Sequence, residues 1–168
     1  EVKLSKLNLF LSIKSFFSSN FLMKRAEIAF NKNDIKDLTK VTNIFVPKII
    51  NKQIDKIFVS GQIEGEFNIP FDSDGKIRSD YGFSGKILDA SINLTKDLHI
   101  KKLTTEITHR KEEEGSNLFK ILINKGSLLN FDLAESTFNI KRKNSRIETK
   151  NILRTNGDFN LSHVKKIS

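Results

Sequence analysis

The chain has 168 residues, a net charge of +9 and no cysteine. Its length suits one domain with a sizeable core, and the lack of cysteine excludes disulfides and thiolate metal sites. The positive charge by itself would admit nucleic-acid binding, but the lysines are spread along the chain beside many Ile, Asn and Phe residues. Since all of these have adenine- and thymine-rich codons, we attribute much of the charge to genome composition and expect no nucleic-acid partner.

Residues 1–33 are predicted to form N-terminal strands. Apolar residues alternate with polar ones from Leu7 to Ile13, as they do when successive side chains of a strand point to opposite faces. A polar turn at 18–20 should precede the next strand. The apolar phase in that strand slips by one residue before Ala26, which predicts a β-bulge.

Residues 34–55 change period and predict a helical insertion. Apolar residues recur three or four apart from Ile35 to Phe45, as on one face of a helix. Asp34 is placed to cap the N-terminus, and Pro47 should end or kink the helix. A second short helix over residues 49–54 is expected to follow.

The clearest strand runs from Ile57 to Ile69, where apolar and polar positions alternate throughout. The polar positions include Gln62, Glu64 and Glu66, which should face away from the apolar side together with Lys86 and Asn93. A turn over residues 72–75 follows this strand.

Short strands then recur from Ile77 to Leu161, with a turn about every ten residues by our count of turn-forming residues. A phase slip at Leu88 and Asp89 passes the apolar side on to Ala90. No alternation of strands with helices appears, so the pattern predicts an antiparallel, mainly β domain. The predicted turns lie at 95–97, 110–116, 124–126, the basic cluster 141–146, and Asn156–Gly157.

No constellation of side chains points to catalysis. His99, His109 and His163 are isolated, so none has metal-ligand spacing. Asp72–Gly75 lacks the third ligand that an EF-hand calcium loop needs ahead of its glycine, and Pro70 would occupy the first ligand position. The adjacent carboxylates of residues 112–114 lack the partner acid that glycoside hydrolysis needs. We therefore expect no enzyme activity, no catalytic residue, no metal and no cofactor.

Several motifs together resemble the AsmA-like envelope proteins, especially the central region of the YhdP and TamB type. The resemblance covers about two thirds of the chain by our reading of loosely repeated glycines and alternating apolar residues. The motifs are Gly61-Gln62-Ile63-Glu64-Gly65-Glu66-Phe67, Gly75-Lys76-Ile77, Tyr81-Gly82-Phe83-Ser84-Gly85-Lys86-Ile87 and Asp89-Ala90-Ser91-Ile92.

The resemblance implies an antiparallel meander that curls into an open, taco-like groove with an apolar lining. It implies a segment of a lipid-transfer protein, anchored in the inner membrane and spanning the periplasm, that conducts phospholipid to the outer membrane. Its partners would be phospholipid acyl chains, the membrane through regions outside this fragment, and further groove segments of the same chain. The domain organisation would be strands in 1–33, the helical insertion in 34–55, and the groove repeat in 56–168.

Two other classes stay open on the residues alone. The same alternation is typical of a closed β-sandwich serving as a structural or binding domain of an envelope protein, and the net charge admits a basic nucleic-acid-binding barrel. The predicted groove lining is Ile57, Val59, Ile63, Phe67, Ile69, Ile77, Tyr81, Phe83, Ile87, Ile92, Leu94, Leu103, Ile107, Phe119, Ile121, Ile123, Leu129, Phe131, Leu133, Phe138 and Ile140.

Overall fold

A computed structural model describes residues 2–17, 22–42, 56–78, 80–112, 115–129, 131–143 and 146–157. Within these ranges the chain forms nine β-strands, one α-helix and a short 3-10 helix over Ile13–Phe16. The helix, α1, spans Ile35–Thr42. The strands are β1 (Leu4–Leu11), β2 (Met23–Asp34), β3 (Phe58–Pro70), β4 (Gly82–Asn93), β5 (His99–Lys111), β6 (Asn117–Leu128), β7 (Phe131–Lys143), β8 (Arg146–Ile152) and β9 (Thr155–Asn156).

All nine strands belong to one antiparallel sheet. From β1 to β8 each strand pairs with the one before it, and β9 continues the line of β8 along β7. The sheet is not closed into a barrel. The predicted fold class, a mainly β antiparallel meander with an open sheet and one short helix, is therefore confirmed.

Helix α1 begins where the sequence predicted. The Lys36 backbone N–H donates to the Asp34 carboxylate at 2.8 Å, which satisfies one of the free donors of the first turn. Ile35 is 4% exposed and joins the main apolar cluster of the sheet. Residues 43–55, with Pro47 and the predicted second helix, lie outside the described residues, as do the turn at 18–20 and the predicted last strand near Leu161.

Strand pairing separates two chemically different faces. Residues directly opposite each other lie on the same face, so one row runs through Ile28, Phe67, Phe83, His109 and Phe119. Repeating this along the strands defines the apolar face. It comprises Ala26, Ile28, Phe30, Ile63, Gly65, Phe67, Ile69, Phe83, Gly85, Ile87, Thr105, Ile107, His109, Phe119, Ile121, Ile123, Ser136, Phe138 and Ile140.

The opposite, charged face carries cross-strand pairs of opposite charge. Glu64 lies opposite Lys86, and Lys86 lies opposite Glu106, with 3.0 Å between the Lys86 Nζ and a Glu106 carboxylate oxygen. Glu66 on the same face accepts a hydrogen bond from Ser84. Gln62 and Lys86 are exposed, so these side chains face away from the apolar side as predicted.

The sheet curls toward its apolar face. Ile87, Leu103 and Leu133 are only 3–4% exposed. Within the described part of the chain no second sheet lies over them, because all of the strands belong to a single sheet. Side chains on one face of a flat, uncovered sheet would stay substantially exposed. Their burial reflects both the curvature that crowds them against one another and the cover that Ile35 of α1 gives.

Bulges keep the apolar phase constant through the sheet. Asp89 and Lys102 adopt left-handed φ values of 49° and 52°, and the register shifts beside both. Each bulge adds one residue, so Ile87 and Ala90 can both point to the apolar face. The predicted phase slip at Leu88 and Asp89 is this bulge.

Two details of the predicted strands are wrong. The turn predicted at 124–126 is absent, since β6 continues to Leu128, and Gly126 lies opposite Leu133 inside the sheet. The alternation from Ile57 also breaks, because a register shift after Phe58 turns that ring toward the apolar cluster. Both errors have one cause: a bulge shifts the phase without any change in residue type.

Candidate ligand-binding face

Most of the predicted lining lies together on the apolar face or in the cluster that continues it. Strand pairing and packing bring these side chains onto one curved surface that crosses β3 to β7. They are Ile63, Phe67, Ile69, Tyr81, Phe83, Ile87, Ile92, Leu103, Ile107, Phe119, Ile121, Ile123, Phe131, Leu133, Phe138 and Ile140.

Five predicted lining residues do not lie on that surface. Ile57 and Val59 are 39% and 45% exposed beside the bulge of β3. Ile77 is 46% exposed and forms only an isolated bridge with Phe71 in the β3–β4 connection. Leu94 and Leu129 lie just beyond the ends of β4 and β6, where alternation no longer defines a face. Leu94 is half exposed, and Leu129 has a φ of 56°.

One end of the apolar face is a packed aliphatic cluster. We call it the aliphatic end; its buried members are all at most 9% exposed and lie on β4, β5, β6 and β7. Ile35 of α1 packs on this cluster. Gly61 also approaches it closely, since a methyl group on Gly61 would stand 2.7 Å from the Ala90 Cβ. The aliphatic end comprises Ile87, Ala90, Ile92, Ile100, Leu103, Ile123 and Leu133.

The other end carries a ladder of rings across four strands. We call Phe67, Tyr81, Phe83, His109 and Phe119 the aromatic end. Ring centroids are 4.6 Å apart for Phe67 and Phe83, 4.6 Å for Tyr81 and His109, and 4.2 Å for His109 and Phe119. Tyr81 and Phe119 are each 37% exposed, so this end presents aromatic surface to the outside.

A glycine pair between the two ends lets a ring lie flat on the sheet. Gly65 and Gly85 are directly opposite each other. A methyl group on Gly85 would stand 2.7 Å from the Phe83 ring and 2.7 Å from the Glu64 carbonyl oxygen. Close approach of backbone and ring explains two of the glycines in the sequence motifs, Gly65 and Gly85, which keep this part of the face low and smooth.

His109 is the unusual polar group of the apolar face. It is 4% exposed, and its Nδ1 is buried without a hydrogen-bond partner. Burial lowers the pKa of His109 below its ordinary value, and a hydrogen bond to the Tyr81 backbone opposes part of that effect. By contrast, the buried Thr105 hydroxyl donates to the Leu122 carbonyl at 2.9 Å.

Two of the residues that sequence reasoning left out of the predicted lining are His109 and Phe58. His109 was read as an isolated histidine, although it continues the alternating phase of Leu103, Thr105 and Ile107 and could have been placed by it. Phe58 carried no such signal, because its direction follows from the bulge in β3.

The acidic turn between β3 and β4 is built by its own hydrogen bonds. The Asp72 carboxylate accepts from the backbone N–H groups of Lys76 and Asp74, both at 2.9 Å, and the first of these is the main cause of the lowered pKa of Asp72. Across the described residues, no group of three or more His, Cys, Asp or Glu side chains could hold a metal ion. No helix in that part is long and apolar enough to cross a membrane.

Comparisons with protein-family models, with curated proteins and with solved structures find no match to this chain. The resemblance to AsmA-like proteins therefore stays a prediction from the motifs, and the functional argument rests on the geometry of the apolar face.

Proposed function

We propose that the apolar face binds lipid acyl chains, and that this chain is a segment of a lipid-conducting groove of the cell envelope. One observation carries the proposal: a curled, single-layered sheet with one apolar face that crosses β2 to β7. Moving each CH₂ group of an acyl chain from water onto such a surface contributes about 0.8 kcal/mol to the free energy of binding. An acyl chain on this face would thus regain much of the hydrophobic free energy that it loses on leaving a bilayer.

The middle of the face suits movement along it better than tight fixation. Gly65 and Gly85 keep the backbone low, and Phe83 lies across them. Ile107 lies opposite Gly85, Ile121 lies opposite Ile107, and both side chains offer only hydrocarbon. Hydrocarbon contacts have no preferred direction and stabilise an acyl chain in proportion to the apolar area they bury. The free energy of binding therefore varies little as a chain slides over this part of the face.

The two alternative classes have less support. A closed sandwich needs a second sheet, and a nucleic-acid-binding barrel needs closure, whereas the described strands form one open sheet. The charged face alternates in sign through Glu64, Lys86 and Glu106, which gives no continuous positive path for a phosphate backbone.

Photo-crosslinking on the two faces tests the proposal. A photoreactive phenylalanine analogue at Phe83 or Ile121 should capture phospholipid in cells or from vesicles. The matched control positions are Glu64 of β3 and Glu106 of β5, which lie on neighbouring strands but on the charged face. Equal capture on both faces, or no capture at Phe83 and Ile121 by a folded protein, would overturn the proposed function.

A further inference from the structure

A row of polar side chains ends the apolar face beyond its aromatic end. Lys111 of β5 lies opposite Asn117 of β6, and Asn117 lies opposite Arg142 of β7. Their positions follow the alternation of His109 and Phe119, so they belong to the same face. We call Lys111, Asn117 and Arg142 the polar rim.

The geometry of the sheet brings the two cations of the rim close together. Neighbouring strands lie about 4.8 Å apart, which places the Cα atoms of Lys111 and Arg142 about 10 Å from each other across Asn117. Both side chains are exposed and long enough to converge on one group above the amide. Arginine can also bind a phosphate through two parallel hydrogen bonds.

The two cations of the rim form no ion pair within the described part of the chain. The neighbouring carboxylate of Glu112 is engaged elsewhere, by Lys141 at 2.8 Å and by the Ser116 hydroxyl at 3.1 Å. These bonds hold the pKa of Glu112 below its usual range, so its carboxylate stays ionised and bonded to Lys141 and Ser116.

The distance from the rim to the rings matches an amphiphile. Lys111 is two residues from His109, and Asn117 is two residues from Phe119, which corresponds to about 7 Å along each strand. The exposed parts of Tyr81 and Phe119 begin there. A ligand that spans both must have an anionic head joined directly to an apolar body.

We propose that the polar rim binds the phosphate of an anionic phospholipid whose acyl chains lie on the aromatic end and point toward the aliphatic end. This inference rests on the proposed function, because it needs acyl chains on the apolar face. It adds a headgroup class and an orientation: phosphate at the edge formed by the end of β5 and the start of β6, hydrocarbon over Phe83.

The test compares two double variants with the same loss of charge. Lys111→Gln with Arg142→Gln removes the cations of the rim, and Lys120→Gln with Lys150→Gln removes two exposed lysines of the charged face. The probes are dihexanoyl phosphatidylglycerol, dihexanoyl phosphatidylcholine and inorganic phosphate, titrated against the whole chain below the micelle concentration of each lipid.

The rim variant should bind phosphatidylglycerol about tenfold more weakly, as expected for the loss of charge-assisted hydrogen bonds. The charged-face variant should change that affinity by less than about twofold, since screened charges on the far side contribute little. An equal loss in both variants, or no loss in either, would overturn the headgroup site. Inorganic phosphate binding as tightly as the lipid would also overturn it, as a site for free phosphate.

Failure of the headgroup site can be told apart from failure of the proposed function. The photoreactive group at Phe83, placed in the rim variant, should still capture acyl chains if only the headgroup site is wrong. If neither the wild-type protein nor the variant yields a lipid adduct at Phe83, both proposals fail together.

Discussion

The aliphatic and aromatic ends of the apolar face share strands and face but differ in packing. Ile87, Leu103 and Ile123 at the aliphatic end are 4–7% exposed and are covered in part by α1. Tyr81 and Phe119 at the aromatic end are 37% exposed. One alternating pattern has therefore produced two surfaces: one is a packed core, and the other leaves the rings of Tyr81 and Phe119 partly exposed.

The largest expected contrast comes from placing a carboxylate at each end. Ile123→Asp should cost several kcal/mol of unfolding free energy and abolish cooperative folding, because it buries an unpaired charge. Phe83→Asp should cost about 1–3 kcal/mol and leave a folded protein, because its carboxylate can reach water at the open end. Urea unfolding followed by circular dichroism would measure both, and equal losses would show that the whole face is a closed core.

The contact between α1 and the sheet should respond strongly to one methyl group. Gly61 has a φ of 143°, and a methyl group there would stand 2.7 Å from the Ala90 Cβ. Gly61→Ala should cost about 1–3 kcal/mol through backbone strain and this clash. Gly75→Ala is the matched control, with a φ of 77° but nothing within 4 Å, and should cost about 1 kcal/mol. Similar losses in thermal unfolding would contradict the close approach of Gly61 to Ala90 and to Ile35 of α1.

His109 should make the stability of the aromatic end depend on pH. Its pKa in the folded protein lies below the ordinary value of 6.5, because burial disfavours the charged ring. Below pH 6.5 the unfolded chain therefore binds more protons at this position than the folded protein does. The contribution of the neutral His109 ring to stability is lost as the pH falls from 6.5 through the pKa of the folded protein. His109→Phe should remove this part of the pH dependence and, at pH 8, change stability little or raise it.

Melting temperatures of the wild-type protein and His109→Phe between pH 8 and pH 5 would measure this effect. His99 and His163 are present in both proteins, so their contributions cancel in the difference. If the melting temperatures of the two proteins change by the same amount across this pH range, the prediction is contradicted.

The smallest effect is expected on the charged face. The Lys86–Glu106 pair is exposed, at 3.0 Å, so Lys86→Ala should cost about 0.2–1 kcal/mol and less at high salt. A loss above 2 kcal/mol, unchanged in 1 M salt, would mean that this face also packs against something.

Most strands, the division into two faces, the start of α1 at Asp34 and the bulge at Asp89 could be read from the residues alone. These are local properties, since alternation, a capping residue and a phase slip are all visible within a few residues. The resemblance motifs also marked Gly65 and Gly85, though without the reason for them. About three quarters of the predicted lining lies on the apolar face for the same local reason.

Which rows of side chains meet, and which end of the apolar face stays open, depends on long-range pairing. The alignment of Lys111 with Arg142 depends on the register of β5, β6 and β7, which is set by long-range pairing and by bulges that no residue type announces. The same holds for Phe58, which turns inward at a bulge, and for Gly126, which continues a strand where a turn was expected. Burial at the aliphatic end and exposure at the aromatic end follow from sheet curvature and the place of α1, which are properties of the assembled sheet.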